Sequence, residues 1–157
     1  MPVLCWEEKV RVVMDAVPVL IVDNYPSLRE IVRLILELEG YTVYEARNGD
    51  EALDDLRTSV QPLVVLLDWH MPGLSGLDVL HALASDAPQA RRHAYILYTS
   101  ADHPQDLLAQ VPAGFCVAAL SKSCALDDLL WMVKQASNCV QGKTWHRRST
   151  PSVLRKY

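Results

Sequence analysis

Apolar residues along the chain follow two spacings, one typical of buried strands and the other of amphipathic helices. Five short runs, rich in β-branched, leucine or aromatic residues, have the length of buried strands and lie at 19–23, 41–46, 63–68, 94–100 and 114–122. Segments with helical spacing follow them, at 27–40, 48–59, 76–86, 104–111 and 126–140. Five alternations of strand and helix predict an α/β domain in which helices cover both faces of a parallel sheet.

The first predicted helix shows signals for both of its ends and for its buried face. Ser27 and Glu30 have the spacing of a capping box, and Gly40 is placed to end the helix. Helical spacing assigns the buried stripe to Leu28, Ile31, Val32 and Ile35. We therefore expect a helix that begins near Ser27 and packs this stripe against the sheet.

Length and charge divide the chain into one domain and two flanking segments. The chain has 157 residues, half of them apolar, and the alternating pattern places a single domain at 17–141. Residues 1–16 are an N-terminal extension in which apolar residues at helical spacing predict a short extra helix. Residues 142–157 form a basic tail, whereas all 19 acidic residues lie at or before Asp128.

Composition argues against several classes of protein. We interpret the basic tail as solvated, with contact to an acidic partner or nucleic acid as the alternative, and it is too short for a helix-turn-helix. The four cysteines show no C-x-x-C pair and no zinc-like spacing, so we interpret them as reduced thiols of a cytoplasmic protein. No apolar run has the length of a membrane span, and the acidic residues near the N-terminus are not typical of a secretory signal.

Polar side chains end four of the five predicted strands. They are Asp23 and Asn24 after the first strand, Asp68 after the third, Thr99 and Ser100 after the fourth, and Lys122 after the fifth. A buried, unpaired carboxylate is costly, so we expect Asp68 to lie at an open end of the sheet beside a cation. Ligands of open parallel sheets bind outside the carboxyl ends of the strands, which predicts that these side chains form one site.

Four segments that contain these residues resemble the response-regulator receiver domain of bacterial two-component signalling. They read VLIVDN, VVLLDWHMPGLSG, ILYTS and LSK, in the family's order and close to its spacing, over residues 17–141. The pattern D-x-x-M-P-x-x-x-G, from Asp68 to Gly76, is the most specific part. The resemblance implies a flavodoxin-like, doubly wound (βα)5 fold whose five-stranded parallel sheet has the order 2-1-3-4-5.

The resemblance also implies a signalling phosphoacceptor rather than a typical enzyme. Asp68 would accept a phosphoryl group from a histidine kinase, a phosphotransfer protein or a small phosphodonor. Lys122 would pair with Asp68 and then with the phosphoryl oxygens, while Thr99 would donate its hydroxyl to one of them and draw its loop inward. Slow self-catalysed phosphorylation and dephosphorylation are expected, and the signal would pass through protein contacts.

Magnesium is the cofactor that the resemblance implies. Asp23, Asp68 and the backbone carbonyl of His70 would hold the ion, with phosphoryl and water oxygens completing an octahedron. The family usually has two acidic residues where this chain has Asp23 and Asn24. The missing carboxylate predicts that Asn24 is a weak ligand and that magnesium binding is weakened without being abolished.

Two further departures from the family's pattern concern its switch. The family's aromatic switch residue is replaced here by Ala119, so no ring at that position can respond to phosphorylation. The family's usually cis Lys-Pro bond is replaced by the bond between Lys122 and Ser123. We expect that bond to be trans, because a cis bond before a residue other than proline costs about 3 kcal/mol.

The surface that contacts partners is predicted from the last helix. Helical spacing places Trp131 opposite the apolar side of that helix, which contains Leu126, Leu129, Leu130, Val133, Ser137 and Val140. We therefore predict that the ring of Trp131 is more than a third exposed. With the face around Ala119, it would contact an unknown output protein or a second copy of the chain.

Three hypotheses of function remain open at this point. The leading one is a stand-alone receiver, because the sequence contains no recognisable output domain. A receiver-like scaffold that binds partners without phosphorylation is the alternative, favoured by Asn24, Ala119 and Ser123. A hydrolase that uses Asp68 as nucleophile would need a further acid or base, for which His70 is the local candidate. No glycine-rich phosphate loop points to nucleotide binding.

Overall fold

The computed structural model describes residues 17–86, 88–142 and 155–156. The strands in these ranges are β1 (Val19–Val22), β2 (Val43–Ala46), β3 (Val64–Asp68), β4 (Ala94–Thr99), β5 (Cys116–Ser121) and β6 (Arg155–Lys156). The α-helices are α1 (Pro26–Leu38), α2 (Gly49–Thr58), α3 (Gly76–Asp86) and α4 (Leu126–Val140). Two 3-10 helices, η1 (Pro88–Arg92) and η2 (Pro104–Gln110), complete the order, and η2 occupies the place of the predicted fourth helix.

The sheet has the strand order β2-β1-β3-β4-β5-β6. Strands β1 to β5 are parallel and follow the order 2-1-3-4-5, so the fold expected from the resemblance is confirmed. Strand β6 was not predicted. It pairs antiparallel with β5, with Lys156 opposite Cys116, and it belongs to the segment that we interpreted as a solvated tail.

Two hydrophobic clusters cover the two faces of the sheet. The alternation of side chains along β3 sends Val65 and Leu67 into the first cluster, and Val64 and Leu66 into the second. Helices α2 and α3 contribute buried residues to the first cluster, whereas α1 and α4 contribute to the second. Strands β1, β3 and β4 are buried along their whole length, so their polar side chains can be reached only at the strand ends, which is where the candidate site lies.

The start of α1 differs from the prediction. The helix begins at Pro26, with Tyr25 as its N-cap and no side-chain hydrogen bond at the cap, so the capping box of Ser27 and Glu30 is wrong. Proline is well suited to the first helical position because its fixed φ matches the helix and its missing N–H is not needed there. Backbone geometry at Pro26 therefore starts the helix one residue before Ser27.

The buried face of α1 is also displaced from the predicted stripe. Ile31 is 55% exposed, whereas Arg29, Val32 and Leu36 are buried. Rotation of the helix toward Leu36 brings Arg29 over the end of β1, where the guanidinium contacts backbone and a carboxylate. A polar contact that the spacing of apolar residues does not encode thus sets the orientation of this helix.

The prediction for Trp131 on α4 is wrong. Its ring is half-buried and packs against the second cluster, and Leu126 on the predicted apolar side is 50% exposed. The buried surface of α4 continues around the helix, because Gln135, one turn after Trp131, is buried as well. The ring is therefore partly a core residue, and its role as an anchor for partners stays a prediction.

The cysteines differ from the interpretation as reduced thiols. Cys116, at the start of β5, and Cys139, in the last turn of α4, form a disulfide, whereas Cys124 is free. Spacing alone could not reveal this pair, because it depends on the folding of α4 back along β5. Cys5 and the predicted helix of the N-terminal extension lie outside the described residues. Among the helices that the structure describes, none is both long and apolar enough to cross a membrane.

Candidate functional site

Three parallel strands bring two carboxylates and one ammonium group into direct contact. Asp23 follows β1, Asp68 is the last residue of β3, and Lys122 follows β5. The Nζ atom of Lys122 lies 3.1 Å from Oδ2 of Asp23 and 3.1 Å from Oδ1 of Asp68. Both carboxylates are 2% exposed, so together with Lys122 they place one net negative charge in a poorly hydrated site.

Asp23 is fixed through contacts on its side chain and its backbone. Its Oδ1 atom accepts a hydrogen bond of 2.9 Å from the N–H of Tyr25. Its carbonyl accepts one of 2.7 Å from Nη1 of Arg29, and Nε of Arg29 lies 3.4 Å from Oε1 of Glu45. Sequence reasoning did not single out Arg29, although an arginine between apolar positions of a predicted buried stripe was a signal for such a role.

Asp68 is held in its charged form less readily than an ordinary aspartate. Burial, and then the charge of Asp23, raise the pKa of Asp68, and the contacts with Lys122 and with the N–H of His70 oppose that rise. The N–H of His70 donates to Oδ1 at 3.3 Å. The Oδ2 atom is buried and has no hydrogen-bond partner among the described residues. This oxygen is therefore the one free to bind a cation or attack an electrophile.

A second unpartnered oxygen belongs to the same group of strand ends. Oδ1 of Asn24 is buried without a hydrogen-bond partner in the described part of the chain. A buried oxygen without a donor costs free energy, so two such atoms beside a net negative charge fit a hard cation with oxygen ligands. The described residues contain no group of three or more His, Cys, Asp or Glu that could hold a metal ion. A site here would therefore depend on amide and backbone oxygens besides the carboxylates of Asp23 and Asp68.

The loop after β3 is packed against the backbone of Asp68. The N–H of Gly76 donates to the carbonyl of Trp69 at 3.1 Å, and a Cβ atom at Gly76 would lie 2.6 Å from the carbonyl oxygen of Asp68. Only glycine fits this approach. The side chain of His70 is exposed, and it is the backbone N–H of His70 that contacts Asp68. A role of this imidazole as acid or base beside Asp68 has no contact to support it.

Thr99 lies at the end of β4 beside this cluster, but its side chain makes no hydrogen bond to Asp23, Asp68 or Lys122. Its side chain is fully buried, and its hydroxyl oxygen accepts a bond of 3.1 Å from the N–H of Ala101. Its carbonyl accepts one of 2.7 Å from the N–H of Lys122, which ties β4 to the residue that carries the ammonium group. The hydroxyl proton is left to donate elsewhere.

The surroundings of Lys122 differ from the family's pattern at two positions, Ala119 and Ser123. Ala119 is buried in the first cluster, and the Lys122–Ser123 bond is trans, as predicted. The ring of Tyr98 lies under Lys122, with Nζ 5.7 Å from the ring centroid. Burial, Cys124 and Asp23 raise the pKa of Tyr98 to about 12, so the phenol is neutral and its ring stabilises the ammonium group. Sequence reasoning missed Tyr98, because its position marks it only as a strand residue.

Comparisons with known proteins agree with this geometry. A family model described as the response regulator receiver domain matches residues 19–134. The chain is 43% identical over 124 residues to the positive alginate biosynthesis regulatory protein of Pseudomonas aeruginosa, covering 76% of this chain and 46% of that one. It is 40% identical over 98 residues to the probable transcriptional regulatory protein TcrX of Mycobacterium tuberculosis, covering 62% and 40%. The chain thus spans less than half the length of these two relatives.

A solved structure shares both the fold and part of the sequence. The response regulator protein TrrA of Thermotoga maritima, in complex with Mg2+-BeF, superimposes with a TM-score of 0.64 and 31% sequence identity. The similarity covers 76% of this chain and 98% of that one.

Proposed function

Because the chain belongs to the response regulator receiver domain family of two-component systems, we propose that it accepts a phosphoryl group on Asp68. The donor in this proposal is a phosphorylated histidine of a histidine kinase or phosphotransfer protein. The observation that carries the proposal is the contact of one lysine with two buried carboxylates at the ends of three strands. Asp68 in that cluster retains a buried oxygen without a partner.

The proposed transfer depends on position and charge. Oδ2 of Asp68 attacks phosphorus, the bond between phosphorus and the donor nitrogen breaks, and the leaving imidazole keeps the electron pair and takes up a proton. Lys122 neutralises the oxygens of the transferred group, as a positioned cation does in phosphoryl transfer. The free hydroxyl proton of Thr99 is available to one of these oxygens once its loop moves inward. The acyl phosphate is a signalling state, so the protein is not proposed to be an enzyme.

Magnesium is the proposed cofactor of this step. The carboxylates of Asp23 and Asp68, the carbonyl of His70 and, more weakly, the amide oxygen of Asn24 would hold it. When bound, the ion supplies charge that offsets the repulsion between the donor and the acidic site. The unpartnered oxygens of Asn24 and Asp68 support this assignment, since a cation would satisfy both.

The proposed output is a change in protein contacts. One of the two relatives is described as a probable transcriptional regulatory protein and the other as a regulator of alginate biosynthesis, but this chain covers less than half of either protein. We therefore propose only that phosphorylation changes a surface on α4 that includes Trp131. The predicted contribution of Ala119 to this surface is wrong, because Ala119 is buried in the first cluster, on the other face of the sheet. A second copy of the chain or an output protein would bind the surface on α4, and the proposed location of the exchange with the kinase is the cytoplasm.

Intact mass spectrometry tests the phosphoacceptor directly. The chain is incubated with phosphoramidate or acetyl phosphate, with and without Mg²⁺, and the mass of one added phosphoryl group is sought. We expect the adduct in the wild type with Mg²⁺ and its loss in Asp68→Asn. Asp54→Asn, the same change at an exposed aspartate of α2, is the matched control and should keep the adduct. An adduct that persists in Asp68→Asn would contradict the assignment.

The same experiment separates the alternative function. Asn24 removes a carboxylate from the site and Ala119 removes the switch ring, and both changes favour a scaffold that binds partners without phosphorylation. Absence of any adduct in the folded wild type, with several donors and saturating Mg²⁺, would support the scaffold over the phosphoacceptor.

A further inference from the structure

A cavity lies at the end of the sheet opposite the carboxylate site. Its volume is about 320 Å³, and both cysteines of the Cys116–Cys139 disulfide line it. Cys116 is the first residue of β5, whereas Lys122 follows the last, so the length of the sheet separates this cavity from Asp68. The receiver function proposed above makes no use of it.

The lining of this cavity is basic. Arg91 and Arg92 contribute guanidinium groups, and no carboxylate is among the lining residues that the structure describes. The guanidinium of Arg91 lies 5.3 Å from the ring centroid of Phe115, which fixes the side chain beside the cavity. Arg92 donates to the carbonyl of Ser59 through Nη2, and its buried Nε has no hydrogen-bond partner in the described residues. An anion would satisfy that donor.

Among the lining residues that the structure describes, Arg91 and Arg92 are the ones that carry a positive charge. His93 also lines it, but Nδ1 accepts a hydrogen bond of 2.9 Å from the N–H of Leu63. Burial lowers the pKa of His93 to about 4, so this imidazole is neutral near pH 7. Arginine stays charged at any pH at which thiols react. The cavity therefore offers a permanent positive potential beside a disulfide.

We propose that Cys116, Cys139 and the arginine-lined cavity form a thiol–disulfide exchange site for a small anionic thiol. The thiolate of the incoming molecule attacks one Sγ atom, the Cys116–Cys139 bond breaks, and the other Sγ leaves as a thiolate. A second molecule of the same thiol then displaces the first from the mixed disulfide. Two electrons and two protons thus pass to the protein, and the reagent leaves as its own disulfide.

The arginines promote both parts of this exchange. Their charge raises the local concentration of an anionic thiol, and it stabilises the cysteine thiolate that leaves. Reduction would also remove the covalent tie between β5 and the last turn of α4. Strand β6 pairs with β5 at Cys116. The redox state of the disulfide would therefore control whether α4 is covalently linked to β5 at the edge of the sheet that β6 occupies.

The test uses the full chain with Cys5→Ser and Cys124→Ser, so that Cys116 and Cys139 are the two cysteines that remain. The rate of disulfide reduction is measured by alkylation and intact mass. One reagent is the anionic thiol 2-mercaptoethanesulfonate and the other is cysteamine, whose amine is cationic, and each rate is divided by the concentration of the reagent's thiolate. The rate with 2-mercaptoethanesulfonate is divided by the rate with cysteamine, and this ratio cancels the intrinsic reactivity of the disulfide. We expect the ratio to fall by about threefold or more in Arg91→Gln, and to be retained in Arg91→Lys.

Salt provides a second measurement that needs no variant. Raising the ionic strength should lower the same ratio in the parent chain, because salt screens the attraction of an anion to the arginines. A ratio that changes neither with salt nor in Arg91→Gln would overturn the proposal. So would a chain that takes up two alkyl groups without reductant after treatment with an oxidant, since Cys116 and Cys139 would then not be paired. Neither result depends on phosphorylation of Asp68.

Discussion

Replacement of Asp68 by asparagine should stabilise the fold even though it removes the proposed phosphoacceptor. Asp68 and Asp23 share one ammonium group, so the site contains one more negative than positive charge. Asparagine is nearly the same size, can still accept from the N–H of His70, and leaves Lys122 with Asp23 as a balanced pair. The wild-type fold therefore contains a charge that its stability does not need.

The contacts around Asp68 give the size of this effect. Lys122 lies 3.1 Å from Asp68 and 3.1 Å from Asp23, so the two contacting oxygens are no more than twice 3.1 Å apart. At an effective dielectric constant of about 20, attraction to Lys122 is about 5 kcal/mol and repulsion from Asp23 is at least about 3 kcal/mol. The remaining attraction of about 2 kcal/mol is smaller than the several kcal/mol that burial of an ion costs. We expect the free energy of unfolding to rise by about 1 to 2 kcal/mol in Asp68→Asn.

The pH dependence has a defined sign. Burial and Asp23 raise the pKa of Asp68 in the folded chain, so the folded state takes up this proton before the unfolded state does as pH falls. The penalty of the charged form is present above the raised pKa and is absent below the ordinary value of 3.8, where the carboxyl is neutral in both states. The advantage of Asp68→Asn should therefore be largest at neutral pH and should disappear in acid.

Urea unfolding followed by circular dichroism measures this difference. The wild type, Asp68→Asn and the exposed control Asp54→Asn are compared without divalent cations at neutral and acid pH. The control should lie within about 0.5 kcal/mol of the wild type. A variant Asp68→Asn that is less stable than the wild type at neutral pH would show that Lys122 fully compensates this carboxylate, and the reasoning above would be refuted.

Four further results are expected. Asn24→Asp should tighten Mg²⁺ binding by about tenfold in calorimetric titration, because it restores a carboxylate; unchanged affinity would show that Asn24 is not limiting. Gly76→Ala should cost about 1 to 3 kcal/mol in urea unfolding, because its Cβ would lie 2.6 Å from the carbonyl of Asp68; an unchanged midpoint would contradict that contact. Burial lowers the pKa of His93 to about 4 from 6.5, so the free energy of unfolding should fall by up to about 3 kcal/mol between those values as pH decreases, and His93→Gln should remove this slope. Trp131→Ala should cost about 1 to 2 kcal/mol, since the ring packs against the second cluster; no loss would restore the exposed interpretation.

The contact of Asp23, Asp68 and Lys122 was accessible from sequence because it follows from topology. Parallel strands place their carboxyl ends on one edge of the sheet, so residues that end buried runs meet there even when they are far apart in the chain. The apolar runs also sufficed to locate β1 to β5. The strand order came from the resemblance, since alternation of strand and helix does not by itself define which strands are neighbours.

Contacts that depend on how a helix is rotated about its axis, or on where a later element packs against an earlier one, could not be predicted from the sequence. Arg29 is buried because α1 turns toward the carbonyl of Asp23, and no local spacing encodes that turn. Cys116 and Cys139 are 23 residues apart and meet only because α4 runs back along β5. Strand β6 consists of two residues in a polar segment, which is too short to carry an alternating pattern.

The unpartnered oxygens of Asn24 and Asp68 and the raised pKa of Asp68 have one physical cause. The site is buried with more oxygen acceptors than donors, so its charge is unbalanced until a cation or a transferred group supplies what is missing. A ligand that binds only the folded state stabilises it in proportion to the logarithm of its concentration over Kd. The imbalance that weakens the fold is therefore also the source of cation affinity, and Asp68→Asn should lose that affinity as it gains stability. A site optimised for stability alone would have paired every carboxylate and would bind no ion.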